Sequence, residues 1–177
     1  MQLDLIPILD RRQKPPTSPL RYQPPEIRLI KLNDCPPRDC PLLDTPEKIA
    51  ELWRESVPQS SWFQIDKELF VLFCLNTRRK LIGYNLVSVG TLDTILVHPR
   101  EVFRAAIIAG AGAIVVAHNH PSGDSTPSEA DVKVTRDLVR AGQLLKIDLL
   151  DHIIIGDRGA YPEKGYTSLR ELGYFYS

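Results

Sequence analysis

The sequence predicts one α/β domain with a mixed central sheet flanked by helices, and three observations carry that expectation. Two apolar runs, Glu68 to Asn76 and Leu81 to Val89, flank the polar turn Arg78-Arg79-Lys80 and read as a β-hairpin. Beyond them, buried-type strands alternate with helical segments, which brings strands with helical crossovers into the same sheet as the hairpin. A length of 177 residues suffices for one domain with a real core and an appendage.

The appendage comes first. Eleven of the fifteen prolines fall within the first 58 residues, and Pro15-Pro16, Pro19, Pro24-Pro25 and Pro36-Pro37 forbid continuous helix there. Residues 1–45 are therefore expected to form an arm, most simply a stabilising wrap, with Ile27 to Leu32 able to add an edge strand. The domain proper is expected over 46–177. Thr45-Pro46-Glu47-Lys48 opens a helix with Ile49, Leu52 and Trp53 at helical spacing, ending near Ser56 or Pro58. After the hairpin, Asp93 to Val97 reads as a short strand. His98-Pro99-Arg100-Glu101 then starts a helix that Gly110 and Gly112 stop. Ala113 to Ala117, rich in β-branched residues, is a buried strand, and a Pro/Gly/Ser turn follows it.

The next helix is expected from Ser128 to about Leu145, with Thr126 as N-cap, Pro127 at its first position and Glu129 closing a capping box. Spacing places Asp131, Val134, Leu138, Ala141 and Leu145 on its buried stripe. Leu149 to Gly156 is another buried strand, and Ser168 to Leu172 a short helix or turn.

Composition excludes several classes of partner. Lys+Arg and Asp+Glu both number 22, so no global field recruits nucleic acid or an anionic membrane. Three cysteines argue against a disulfide framework and fit a reducing cytoplasm, and Cys35 and Cys40 have no second Cys/His pair to complete a zinc knuckle. No apolar run approaches ~20 residues and the N-terminus lacks a signal pattern, so a cytoplasmic protein is expected, with no membrane partner.

The chemistry gathers between His118 and Asp131. Residues two apart on a strand share a face, so His118 and His120 can aim the same way. A carboxylate on the buried stripe of the following helix, Asp131, must be paired or bound to a cation. A lone histidine beside a core strand is usually a packed core residue, and a lone aspartate early in a helix usually serves the dipole. Strand, turn and capped helix together bring all three to one point, with a tetrahedral corner left for water, as in catalytic zinc sites. Hydrolysis needs a general base beside that water. Glu68, at the mouth of the first long strand, is the candidate, and an ordinary edge charge is its alternative. Ser128 could donate to a developing oxyanion or simply start its helix. His98, Asp151 and His152 border apolar runs and read as structural or as tuning the site.

His118-x-His120, seven residues, Ser128, two residues and Asp131 match the JAMM (JAB/MPN) metalloprotease motif. Val97-His98-Pro99-Arg100-Glu101, the run from His118 to Asp131, and Leu149 to Gly156 resemble the RadC-type branch, over roughly residues 45–175. The resemblance implies a JAMM fold related to cytidine deaminases, with His118, His120 and Asp131 as Zn(2+) ligands, Glu68 as acid/base and Ser128 as oxyanion helper. It implies a zinc peptidase or isopeptidase acting on a protein or peptide, such as a ubiquitin-like protein. The alternative is a DNA-repair or mobile-element accessory protein of RadC type. RadC-type proteins commonly carry a helix-hairpin-helix-like domain ahead of the catalytic one, and a Pro-rich arm is expected in its place here. The tripeptide His118-Asn119-His120 is not read as an HNH nuclease, whose residues are spread over a larger element. A deaminase is disfavoured because no Pro-Cys-x-x-Cys follows a His-x-Glu.

Overall fold

In the computed structural model, which describes residues 40–90, 97–157, 159 and 161–175, one side chain reinforces the backbone hydrogen bonds of the hairpin turn. Asn76 Oδ1 accepts the Arg78 and Lys80 backbone N–H groups at 2.8 and 3.1 Å, while Arg79 takes a left-handed φ of 60°. The turn joins β1 (Glu68–Leu75) to β2 (Leu81–Gly90) in antiparallel register, Glu68 opposite Gly90. Ahead of it, α1 (Pro46–Ser56) is capped by the Thr45 side chain and runs into a short 3-10 turn at Val57–Gln59. After it come α2 (Pro99–Ala109), β3 (Ala113–Asn119), α3 (Glu129–Leu145), β4 (Asp148–Ile155) and β5 (Tyr166–Ser168).

The sheet order is β2-β1-β3-β4-β5. β3 pairs antiparallel with β1 and parallel with β4, and β5 closes the edge antiparallel to β4, so the sheet is mixed. The strand period of two sorts the core into two layers. Leu69, Val71, Phe73 and Leu75 of β1 and Ala113, Val115 and Ala117 of β3 pack under Ile49, Ala50 and Trp53 of α1. Phe70, Leu72 and Cys74 with Ile114 and Val116 face Val102, Phe103 and Ala106 of α2 and Leu138 of α3. Burial of each such large apolar side chain is worth about 1.5–3 kcal/mol. The same alternation puts Glu68 and His118 in the rows that face α2 and α3.

Two expectations are corrected. The capping box forms two residues later than expected, at Ser128 and Asp131, so α3 starts at Glu129. Thr126 is tied back into the loop instead, its N–H donated to Asp124 Oδ1 at 2.8 Å. The buried line of α3 is also rotated: Asp131, Thr135, Leu138 and Gly142 are buried, whereas Leu145 is exposed. Gly142 draws the helix onto its own C-terminal turn, since a Cβ there would lie 2.5 Å from the Ile147 carbonyl oxygen. Of the short helix or turn expected from Ser168 to Leu172 the turn forms, and Tyr166–Ser168 ahead of it is a strand.

The arm to residue 39, with its expected edge strand and Cys35, lies outside the described residues, as does most of the short strand expected at Asp93 to Val97. Cys40 is buried, and Leu43 donates its N–H to the Arg79 carbonyl, so the chain just before α1 packs against the hairpin turn. No helix among the described residues is long and apolar enough to cross a membrane.

Candidate metal centre

His118 stands next to last on β3 and continues the Ile114–Val116 row toward α3, stacked on Phe70 with ring centroids 5.8 Å apart. His120 lies just past the strand end, where its backbone N–H still reaches the Ile155 carbonyl of β4 at 3.2 Å. Asp131 lies on the first turn of α3, and Glu68 opens β1. One potential ligand atom from each of these four residues lies within 4.8 Å of the others. His118 Nε2 is 3.0 Å from His120 Nε2, 3.2 Å from Asp131 Oδ1 and 3.7 Å from Glu68 Oε1. The side chain of His118 is 1% exposed, whereas those of Glu68, Asp131 and His120 are 14, 12 and 19% exposed, so the cluster opens outward on their side.

Proton placement follows from the surrounding donors and acceptors. The Thr135 hydroxyl donates to the Asp131 carbonyl at 2.6 Å. It must therefore accept from His152 Nδ1–H, 2.7 Å away. That leaves His152 Nε2 as an acceptor, and the His118 Nδ1–H fills it at 2.9 Å. His152 is fully buried, and that burial, helped by the neighbouring His118, holds its pKa well below the ordinary histidine value, so it stays neutral. On the other side, His120 Nδ1–H donates to the Asp124 carbonyl at 2.5 Å. Both Nε2 lone pairs therefore converge with a carboxylate oxygen on one point. Such a set of two imidazole nitrogens and one or two carboxylate oxygens suits a divalent transition ion.

The Asp131 carboxylate also favours a proton on His120, in competition with an ion. Burial works against ionising Asp131, yet the adjacent His118, His120 and Ser128 hold its carboxyl well below the usual range. Burial likewise disfavours the His120 cation, but Asp131 and the Asp124 carbonyl outweigh it and raise its pKa. Burial raises the Glu68 carboxyl, only partly offset by the two histidines.

Ser128 is the N-cap of α3. Its hydroxyl donates to Asp131 Oδ2 at 2.6 Å and accepts the Asp131 N–H at 3.2 Å, and its own N–H reaches the same Oδ2 at 2.8 Å. Asp131 thus turns Oδ2 to the helix start and leaves Oδ1 for the cluster. An oxyanion role for Ser128 requires its hydroxyl proton to leave that carboxylate.

Of the polar residues bordering apolar runs, His152 joins the cluster through His118. Asp151 points elsewhere, accepting the Ser168 hydroxyl, the Arg170 N–H and the His152 N–H, and its burial pushes its pKa up to about 6. His98 is exposed at the start of α2 and caps nothing with its side chain. Two further residues belong to the cluster's surroundings without carrying a motif. Thr135 follows Asp131 by one helical turn, a spacing that puts both on one face. Asn119 sits between the two histidines.

The loop from Pro121 to Ser125 crosses the chain at Gly156, just past the end of β4. At Gly156 a Cβ would run into the carbonyl oxygen and carbon of Gly123, both backbone atoms. Gly156→Ala is therefore expected to cost about 1–3 kcal/mol in thermal or urea unfolding. It should also loosen the Asp124 carbonyl that orients His120, so a weaker metal affinity accompanies the loss. Unchanged stability and affinity together would show that the loop has room to move.

A mixed five-stranded α/β domain that gathers two histidines and two carboxylates at the end of its central strands defines the class: a domain with a possible metal centre. The profile of the RadC-like JAB domain matches residues 43–174, and the chain belongs to that family. It is 49% identical over 132 residues to a UPF0758 protein of Caldanaerobacter subterraneus subsp. tengcongensis, covering 74% of this chain and 52% of the relative. A UPF0758 protein of Thermotoga maritima is 43% identical over 131 residues, covering 72% and 56%. One from Methanosarcina barkeri is 44% identical over 108 residues, covering 61% and 44%. The chain spans about half the length of the curated relatives it matches.

Proposed function

We propose that this chain is a zinc-dependent peptidase or isopeptidase whose substrate is a protein or peptide, with the C-terminal segment of a ubiquitin-like protein as the favoured class. The observation that carries the proposal is the convergence of the His118 and His120 Nε2 lone pairs with Asp131 Oδ1, beside a fourth group, Glu68, on the open side. His118, His120 and Asp131 would hold the ion. A zinc ion held there supplies Lewis acidity toward a carbonyl and toward water.

The remaining steps fall to this chain's own side chains. Glu68 takes the proton from the water that attacks the carbonyl carbon and passes it to the departing amine as the C–N bond breaks. Its partial burial raises its basicity, which favours uptake of a proton. Ser128 supports the developing oxyanion if its hydroxyl turns from Asp131, and otherwise acts by fixing that carboxylate.

The test is elemental analysis of the purified chain followed by incubation with ubiquitin-like proteins carrying C-terminal peptide or isopeptide extensions. About one zinc per chain is expected, with cleavage that a chelator stops and added zinc restores. A zinc-loaded protein that cleaves none of them, or cleavage indifferent to the chelator, would overturn the proposal.

A further inference from the structure

β1 and β3 part company at the site. Their last paired residues are Phe70 and His118, yet β1 continues back to Glu68 while β3 turns off into the loop. Beyond that pair, backbone groups on the β3 side of β1 lose their ladder partners, and an unpaired N–H or C=O away from water is costly. Asn119 supplies the substitute. Its Oδ1 accepts the Leu69 N–H at 3.0 Å, and its Nδ2 donates to the Lys67 carbonyl at 2.9 Å. One primary amide thus reproduces the paired donor and acceptor of a neighbouring strand. It grips the peptide groups on either side of a single residue, and that residue is Glu68.

We infer that Asn119 is a positioning residue for Glu68, an amide clamp that continues the sheet by one step and fixes where the acid/base carboxylate stands relative to the two histidines. The inference rests on the role proposed for Glu68. The residue type follows from the geometry: aspartate could accept from Leu69 but would face the Lys67 carbonyl with a second acceptor, and serine has one short hydroxyl for two partners. Because Asn119 lies between His118 and His120 in the chain, the clamp also ties the acid/base to the strand that bears both histidines. A displacement of about 1 Å at a reacting group can cost on the order of a hundredfold in rate.

The experiment compares wild type, Asn119→Ala and Asn119→Gln in three measurements. Zinc content is measured first. Next come kcat and KM on whichever ubiquitin-like fusion the wild type cleaves. Last is amide hydrogen exchange at Leu69 in the metal-free proteins. Asn119→Ala is expected to keep its zinc, to lose about 10- to 100-fold in kcat with KM within about twofold, and to lose protection at Leu69. Asn119→Gln, which carries the same amide on a longer arm, should recover part of both kcat and protection. An unchanged kcat, or a loss that tracks zinc content, overturns the positioning role. Fast exchange at Leu69 in the wild type overturns the clamp itself and needs no variant to fold. Should the wild type cleave nothing, the hydrolase proposal fails, and the exchange data alone then decide whether the clamp exists.

Discussion

Glu68→Gln is expected to keep its metal and to lose about 100- to 10,000-fold in turnover, the range that removal of a positioned acid/base costs. The substitution preserves size and hydrogen bonding while removing the ability to take up a proton. Metal retention is the informative half of the experiment, because Glu68 Oε1 also lies among the four potential ligand atoms. If Glu68 were a fourth ligand, the variant would lose affinity for the ion along with activity. If it is the proton shuttle, zinc measured by elemental analysis stays near the wild-type level while kcat falls and KM hardly moves. Equal turnover by the two proteins would remove Glu68 from the chemistry and return it to an edge charge.

His152→Leu should weaken metal binding about 10- to 100-fold without removing any atom proposed to touch the ion. The His118 Nδ1–H donates to His152 Nε2, and that bond keeps the His118 Nε2 lone pair turned to the cluster. Without His152, a buried N–H would be left unsatisfied, at a cost of about 1–3 kcal/mol. The imidazole then escapes the penalty by moving its proton to Nε2, where Asp131 Oδ1 waits at 3.2 Å. That tautomer blocks the ion. Competitive chelator titration of wild type and variant, with thermal unfolding alongside, measures both effects. An unchanged affinity would show that the tautomer of His118 is held by something other than His152. Thr135→Val, which leaves the His152 Nδ1–H unanswered, should move both quantities the same way by a smaller amount.

Strands β1 to β4, the three helices and the mixed sheet were legible because apolar periodicity is written along the chain, and because Thr45-Pro46 and Gly110 punctuate it with unambiguous caps. The start of α3 was less so. Thr126-x-x-Glu129 and Ser128-x-x-Asp131 both satisfy a capping pattern, and only the tertiary placement of Asp131 decides between them. β5 is three residues long and has no periodicity of its own to show. Around the cluster, the motif brought His118, His120 and Asp131 together in advance, and strand parity explains why Glu68 joins them on one side of the sheet. His152 carried a weaker signal: a polar residue inside the run Leu149 to Ile155 must find a hydrogen-bond partner, though sequence does not say which. Asn119 carried none, since its task arises where two strands diverge, and that point is set by the three-dimensional register.

Asp131 is held by two loyalties, one oxygen serving the start of a helix and the other facing His118. A copy of this domain without the proposed chemistry would still gain from an acidic residue at that place, because Asp131 completes the capping box that starts α3. His120, partly exposed and with no helix depending on it, would be the first to drift. Among degenerate members of such a family, the fate of the second histidine is therefore a better gauge of the proposed catalysis than the survival of the aspartate.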